Sequence, residues 1–143
     1  MKVLELAIYP YITKKYNSMF DDFIKKNKIT QIEIDVLAFL ANNPEYQHAQ
    51  DIVDIRGISK AHASIAIEKL VKKGYVTRQC DPHNRRCNIL LVTQDAKEVV
   101  KEIRKIKEEY KKTAFADLSS EEKETKLKIL KKIYVNLGGY DNE

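Results

Sequence analysis

Ser59-Lys60-Ala61-His62-Ala63-Ser64-Ile65-Ala66-Ile67-Glu68-Lys69-Leu70-Val71-Lys72-Lys73-Gly74 reads as one helix with both ends marked. Ser59 is an N-cap residue, Lys72 and Lys73 sit where the helix dipole favours cations, and Gly74 stops the helix. Ala63, Ala66, Ile67, Leu70 and Val71 share an apolar face, which leaves Lys60, His62, Ser64, Ile65 and Lys69 on or near the outer face. Residues 75–79 and 88–92 are rich in β-branched and aromatic residues and flank a turn segment containing Pro82, which predicts a hairpin. From Arg56 to Asn88, eight Lys or Arg stand against two acids, a net of +6. The whole chain carries +5, so the remainder nets −1. Positive charge concentrated in this way is the footprint of a phosphate-binding surface.

The flanking sequence supports a helix-turn-helix. A short helix over residues 47–55 is predicted to bury Ala49, Ile52 and Val53, with Gly57 as its left-handed cap. Two short helices joined by a tight Gly-containing turn make the motif, and the hairpin behind the second helix makes a wing. Upstream, Thr30-Gln31-Ile32-Glu33 is a capping box with Ile29 and Ile34 placed as a staple, so a central helix runs to Asn42. Residues 3–27 are predicted helical, with Ile12, Tyr16, Met19, Phe20, Phe23 and Ile24 on one face and Pro10 starting or kinking the helix. Thr93 is read as the cap of a fifth helix over residues 94–115, whose Val99, Ile103, Ile106 and Tyr110 form a narrow seam. Ser119-Ser120-Glu121-Glu122 opens a sixth helix with Leu127, Leu130, Ile133, Tyr134 and Leu137 on one side. That seam and the apolar faces at both chain ends exceed what a winged helix must cover. They predict pairing with a second copy.

The fold class is therefore mainly α with a small β-hairpin wing (α+β). One domain of 143 residues is expected, with a DNA-binding lobe at 30–93 and helical dimerisation regions at 1–29 and 94–143. The longest apolar run, residues 36–41, is far short of a membrane span. No secretion signal is evident, and two cysteines make no disulfide scaffold, so a cytosolic location is expected. No Gly-rich phosphate loop, Gly-x-Ser-x-Gly, His-Glu-x-x-His or paired-carboxylate motif points to an enzyme.

In its order Gly57-x-Ser59-Lys60, Leu70-x-x-x-Gly74-Tyr75-Val76, Asp81-Pro82-x-Asn84-Arg85-Arg86 and Leu91-Val92-Thr93, the chain resembles the MarR family of winged-helix transcriptional regulators. The resemblance implies a homodimer joined through its first, fifth and sixth helices. It also implies a regulator whose DNA affinity responds to a small anionic or phenolic molecule or to oxidation. Asn84 stands where the family usually has Asp, Ile65 where a basic or polar residue is common, and Arg56 where an apolar residue is usual.

The expected DNA-binding residues are Ser59, Lys60, His62, Ser64, Ile65, Lys69, Arg78, Asn84, Arg85 and Arg86. Lys60 and Lys69 suit phosphates. His62, Ser64 and Ile65 suit base edges and thymine methyls. Arg86 suits a narrow minor groove, with Arg85 on a phosphate. Cys80 and Cys87 flank the wing loop 81–86, and facing each other across the hairpin they would form a redox pair. Tyr9, Tyr11, Tyr16, His48 and Arg56 are expected to line an effector crevice between the dimerisation helices and the lobe. No cofactor or metal is expected, since Cys-x-x-His-x-x-x-Cys supplies only three ligands. A protein-interaction adapter and a non-specific DNA-architectural protein are the competing readings.

Overall fold

The capping box at Thr30 forms as the sequence predicts. The Glu33 N–H donates to the Thr30 hydroxyl at 3.2 Å, and the Thr30 N–H donates to the Glu33 carboxylate at 3.1 Å. The computed structural model describes residues 2–139, with side chains from Leu6 onward. Met1 and residues 140–143 of the predicted dimerisation regions lie outside the described residues. The helices are α1 (Lys2–Ser18), α2 (Asp21–Asn27), α3 (Gln31–Asn42), α4 (Ala49–Asp51) with a π turn at Ile52–Arg56, and α5 (Lys60–Lys72). The hairpin β1 (Val76–Asp81) and β2 (Asn84–Val92) follows, then α6 (Lys97–Ala114) and α7 (Ser120–Asn136). The core gathers on α3, whose Ile34, Val36, Leu37, Ala38, Phe39 and Leu40 are all buried. On it pack α5 through Ala63, Ala66, Ile67 and Leu70, and α6 through Val100 and Ile103.

Four expectations need correction. The predicted helix over residues 3–27 is two helices; Pro10 lies inside α1, which fits the second of its two expected placements, within a longer helix, and not the first, at a helix start. The break at Met19 and Phe20 uses tightened i−3 hydrogen bonds to Tyr16 and Asn17, which turns the Phe20 ring fully into the core. Ala49 is exposed, because α4 is a single turn and the π turn after it sends Ile52 inward instead. Thr93 does not cap the fifth predicted helix. Its hydroxyl donates to the Gly74 carbonyl at 2.5 Å, residues 94–96 form a 3₁₀ turn, and the α-helix begins at Lys97.

The fourth correction concerns the seam. Ile103 is buried, Val99 and Ile106 pack on the core, and the Tyr110 ring meets Tyr16 edge-on at 4.9 Å. The seam is thus covered by this chain's own α3 and α1. Most of the large apolar residues left exposed are on α1 (Leu6, Ile8, Tyr9, Tyr11, Ile12) or on α7 and its C-cap (Leu127, Ile129, Leu130, Ile133, Leu137).

Candidate nucleic-acid interface

Gly57, at φ +75°, turns the chain out of the π turn. Two residues later the Ser59 hydroxyl accepts the His62 N–H at 3.2 Å and starts α5. Burial of Ala63, Ala66, Ile67 and Leu70 fixes the helix's rotation, so Lys60, His62, Ser64, Ile65 and Lys69 all lie exposed. Ile65 is 56% exposed, which removes core packing as its explanation. At the far end of α5, Lys73 pairs with Glu33, itself 1% exposed and also held by the Thr30 hydroxyl at 2.6 Å. Burial pushes the Glu33 carboxyl up, but hydrogen bonds from Lys73 and Thr30 outweigh it and hold the group below the usual carboxylate range.

The wing stands beside this helix. Arg78 on β1 reaches Glu68 on α5 at 2.8 Å, so this predicted DNA contact is engaged within the chain and ties wing to helix. A cleft of about 480 Å³ runs between α4, α5 and the wing. Its charged lining includes Lys60, Arg78 and Arg86, with Ser64 and Cys87 beside them and no carboxylate. Arg85 and Arg86 are exposed near the tip. The Asn84 side-chain oxygen accepts the Arg86 backbone N–H at 3.2 Å, so this residue shapes the tip rather than orienting a guanidinium.

The cysteines do not face each other. The strands run further than predicted, to a turn of only Pro82 and His83, and the register shifts between Cys80 and Asp81. Cys80 is opposite Asn88, and Asp81 is opposite Asn84. Both thiols are free, and Cys87 Sγ accepts from Asn84 Nδ2 at 3.3 Å.

The five residues predicted for an effector crevice are not gathered into one. His48 sits at the base of the wing, its Nε2 2.9 Å from Asp81. Tyr9 and Tyr11 lie exposed on α1. Only Tyr16 and Arg56 share a neighbourhood, around Asp35. Arg56 pairs with Asp35 at 3.3 Å, and burial followed by the Asp35 charge pushes the Tyr16 hydroxyl up to about 12. Beside them a polar cavity of about 170 Å³ is lined by Asp35, Phe39, Asn42, Asn43, Arg56 and Lys107. Lys107 is half-buried, and burial, then the Arg56, Lys111 and Arg104 charges, lower its pKa against the pull of Asp35. Arg104 donates to Asn42 Oδ1 at 3.0 Å. The sequence reading missed Arg104 and Lys107. Their signal was a stripe of cations at 104, 107 and 111 along one side of the apolar seam.

Among the described residues, no helix is long and apolar enough to cross a membrane. Residues 28–86 match the MarR family model. Comparison with curated protein sequences gives no match. Among solved structures, the chain is similar to a MarR protein from Peptoclostridium difficile, at 25% identity over 96% of this chain and 88% of that one, TM-score 0.80. It is also similar to a MarR family regulator from Listeria monocytogenes complexed with 26mer DNA, at 20% identity over 96% and 97%, TM-score 0.81. A third is BpsR of Bordetella bronchiseptica, whose DNA binding is regulated by 6-hydroxynicotinic acid, at 22% identity over 89% and 90%, TM-score 0.72. With its capped outward-facing α5, its cation-lined cleft and its hairpin wing, this chain has a MarR-like winged-helix fold, and the stretch that holds α3, α5 and the wing tip is the part that matches the MarR family model.

Proposed function

We propose that the chain regulates transcription as a homodimer on a pseudo-palindromic operator. The lobe at 30–93 reads DNA, and the helices at 1–29 and 94–143 pair the two copies. The observation that carries this reading is the cleft with Lys60 of α5 on one side and Arg86 of the wing on the other and no carboxylate in its lining. Lys60 and Lys69 neutralise phosphates, while His62, Ser64 and Ile65 meet base edges in the major groove. Arg86 enters the minor groove, with Arg85 on the adjacent backbone. The exposed apolar faces of α1 and α7 supply the dimer surface. Selection of bound duplexes from a random pool tests the reading. It should return inverted half-sites centred about 10 bp apart or a multiple of that. Enrichment of single, non-repeated sites would overturn the dimeric mode.

For the effector, the cavity around Asp35, Arg56 and Lys107 best fits a small aromatic or phenolic carboxylate. It offers cations for the carboxylate, two asparagines for a ring substituent and Phe39 as an apolar wall. The regulation of BpsR by 6-hydroxynicotinic acid supports this class. With 4-hydroxybenzoate as the probe, the wild-type melting temperature should rise with ligand concentration, and Lys107→Met should abolish the rise. An equal rise in both proteins would move the effector elsewhere.

A second mode, modulation by oxidation, draws on Cys80 and Cys87. Cys87 lines the cleft beside Lys60 and Arg86, so a bulky or anionic oxidation product there would meet the DNA path. Peroxide should weaken operator binding of the wild type, and Cys87→Ser should be insensitive.

A further inference from the structure

His48 fastens the wing. Both Asp81 oxygens are engaged: Oδ1 accepts the His83 N–H at 2.8 Å, and Oδ2 meets His48 Nε2 at 2.9 Å. The other face of the imidazole is held by Asp51, whose Oδ2 lies 3.5 Å from Nδ1 and accepts the His48 backbone N–H at 3.0 Å. Asp81 is buried and sits at the register shift, opposite Asn84, whose side chain shapes the backbone at Arg86. One residue before His48, the Gln47 carbonyl accepts the Leu90 N–H at 2.7 Å. Two consecutive residues at the start of α4 therefore hold both strands of the wing, Gln47 on β2 and His48 on β1.

We propose that His48 is a positioning residue for DNA binding, setting the angle of the wing so that Arg86 reaches its groove. The proposal rests on the wing contact of Arg86 stated above. Two attachments fix an angle, whereas one leaves a hinge. From Leu90 to Arg86 the strand extends about 13 Å at ~3.3 Å per residue. A swing of ~10° about Leu90 would displace the Arg86 backbone by roughly 2 Å, enough to break a groove contact. Arg78 and Glu68 restrain the middle of the hairpin, but their pair is largely in water and contributes little. The carboxylate of Asp81, by contrast, has no other donor at Oδ2 among the described contacts, so loss of His48 releases the end of β1 nearest the tip.

The test is a double-mutant cycle on a duplex taken from the random-pool selection, read by fluorescence anisotropy. The proteins are wild type, His48→Ala, Arg86→Ala, the double variant, and His48→Gln, which keeps an N–H donor near the position of Nε2. Amide exchange at His83 and Leu90 reports the latch without DNA. Arg86→Ala alone should weaken binding by about tenfold, and in the His48→Ala background by less than about threefold. His48→Ala should speed exchange at His83, while His48→Gln should stay near wild type in both exchange and affinity. Additive losses would overturn the proposal, because a residue that only stabilised the fold would leave the Arg86 contribution intact. Unchanged exchange at His83 in His48→Ala would overturn it independently. An Arg86→Ala variant with wild-type affinity would refute the wing contact and with it the positioning role, and the exchange data would show whether the latch itself exists.

Discussion

Replacing Lys73 with Met removes the cation that faces Glu33 while keeping the aliphatic stem. Glu33 is 1% exposed and the Lys73 side chain 28% exposed. Removing one partner of a buried pair costs about 3–5 kcal/mol. Here the Thr30 amide and hydroxyl stay on the other carboxylate oxygen, and the α3 N-terminus favours a negative charge. The expected cost therefore falls to the bottom of that range or below it, about 2–3 kcal/mol. With an m-value near 2 kcal/mol/M for a chain of this size, the urea midpoint should fall by about 1–1.5 M. Protein concentration must be held fixed, since the stability of the proposed dimer depends on it. The sign with pH is also determined. A carboxyl held low in the folded state stabilises above the unfolded value near 4.3 and loses that contribution as pH falls through the folded value. Without Lys73 the largest of the contributions that hold Glu33 low is gone, so the variant has less of this stability to lose in acid. The gap between the two proteins should be widest at neutral pH and should close in acid. A midpoint within about 0.2 M of wild type, or a gap that stays constant with pH, would refute the assignment of Lys73 as the compensating charge. The double variant Glu33→Gln/Lys73→Met should recover part of the loss, because it leaves no uncompensated charge.

Three other outcomes follow from exposed or strained positions. Ile65→Ala should change stability by less than ~0.5 kcal/mol, because the side chain is mostly in water, yet it should alter the base preference recovered from a random pool at one or two positions. Leu127→Asp adds a charge to the exposed face of α7 at little cost to a single copy and should shift the sedimenting species from dimer to monomer; a persistent dimer would place the interface elsewhere. Gly57→Ala meets no atom within 4 Å, so its cost should be the left-handed backbone alone, about 1 kcal/mol in denaturation.

Where a feature depended on local chemistry, the sequence was legible. The box at Thr30, the Ser59 cap, the Gly57 turn and the buried face of α5 all follow from residue types within four positions of one another. Where competition between partners decided, it was not. Thr93 has the residue type of a cap, but the Gly74 carbonyl, brought near by the hairpin, takes its hydroxyl. The 4-3-4 seam has the period of an intersubunit stripe, yet α3 is apolar on most sides and covers it first. Cys80 and Cys87 are symmetric about the predicted loop 81–86, but the ladder from Val76 onward pairs Cys80 with Asn88, one residue out. His48 and Arg56 were chosen for chemistry alone, and each proved to be committed to a carboxylate that sequence distance concealed, Asp81 and Asp35 respectively.

The carboxylates of α3 give the two ends of α5 different freedom. Asp35 and Glu33 both project from the first turns of α3. Glu33 holds Lys73, immediately after the last residue of α5, in a pair that is costly to break because one partner has no access to water. Asp35 holds Arg56, three residues before the Ser59 cap, and this pair has the Arg56 side chain 44% exposed. An exposed pair contributes about 1 kcal/mol or less. An anion seated against Arg56 and Lys107 therefore needs only about a fivefold preference for the open arrangement to compete with Asp35. What it would move is the π turn and Gly57, the segment that sets where α5 begins, while Lys73 keeps the other end in place. An effector acting there would tilt the N-terminal half of α5, which carries Lys60, His62 and Ser64, more than the half that carries Lys69. Weakened binding on effector addition should then appear mainly at the base pairs read by the first turns of the helix, and equal weakening across the half-site would count against this division.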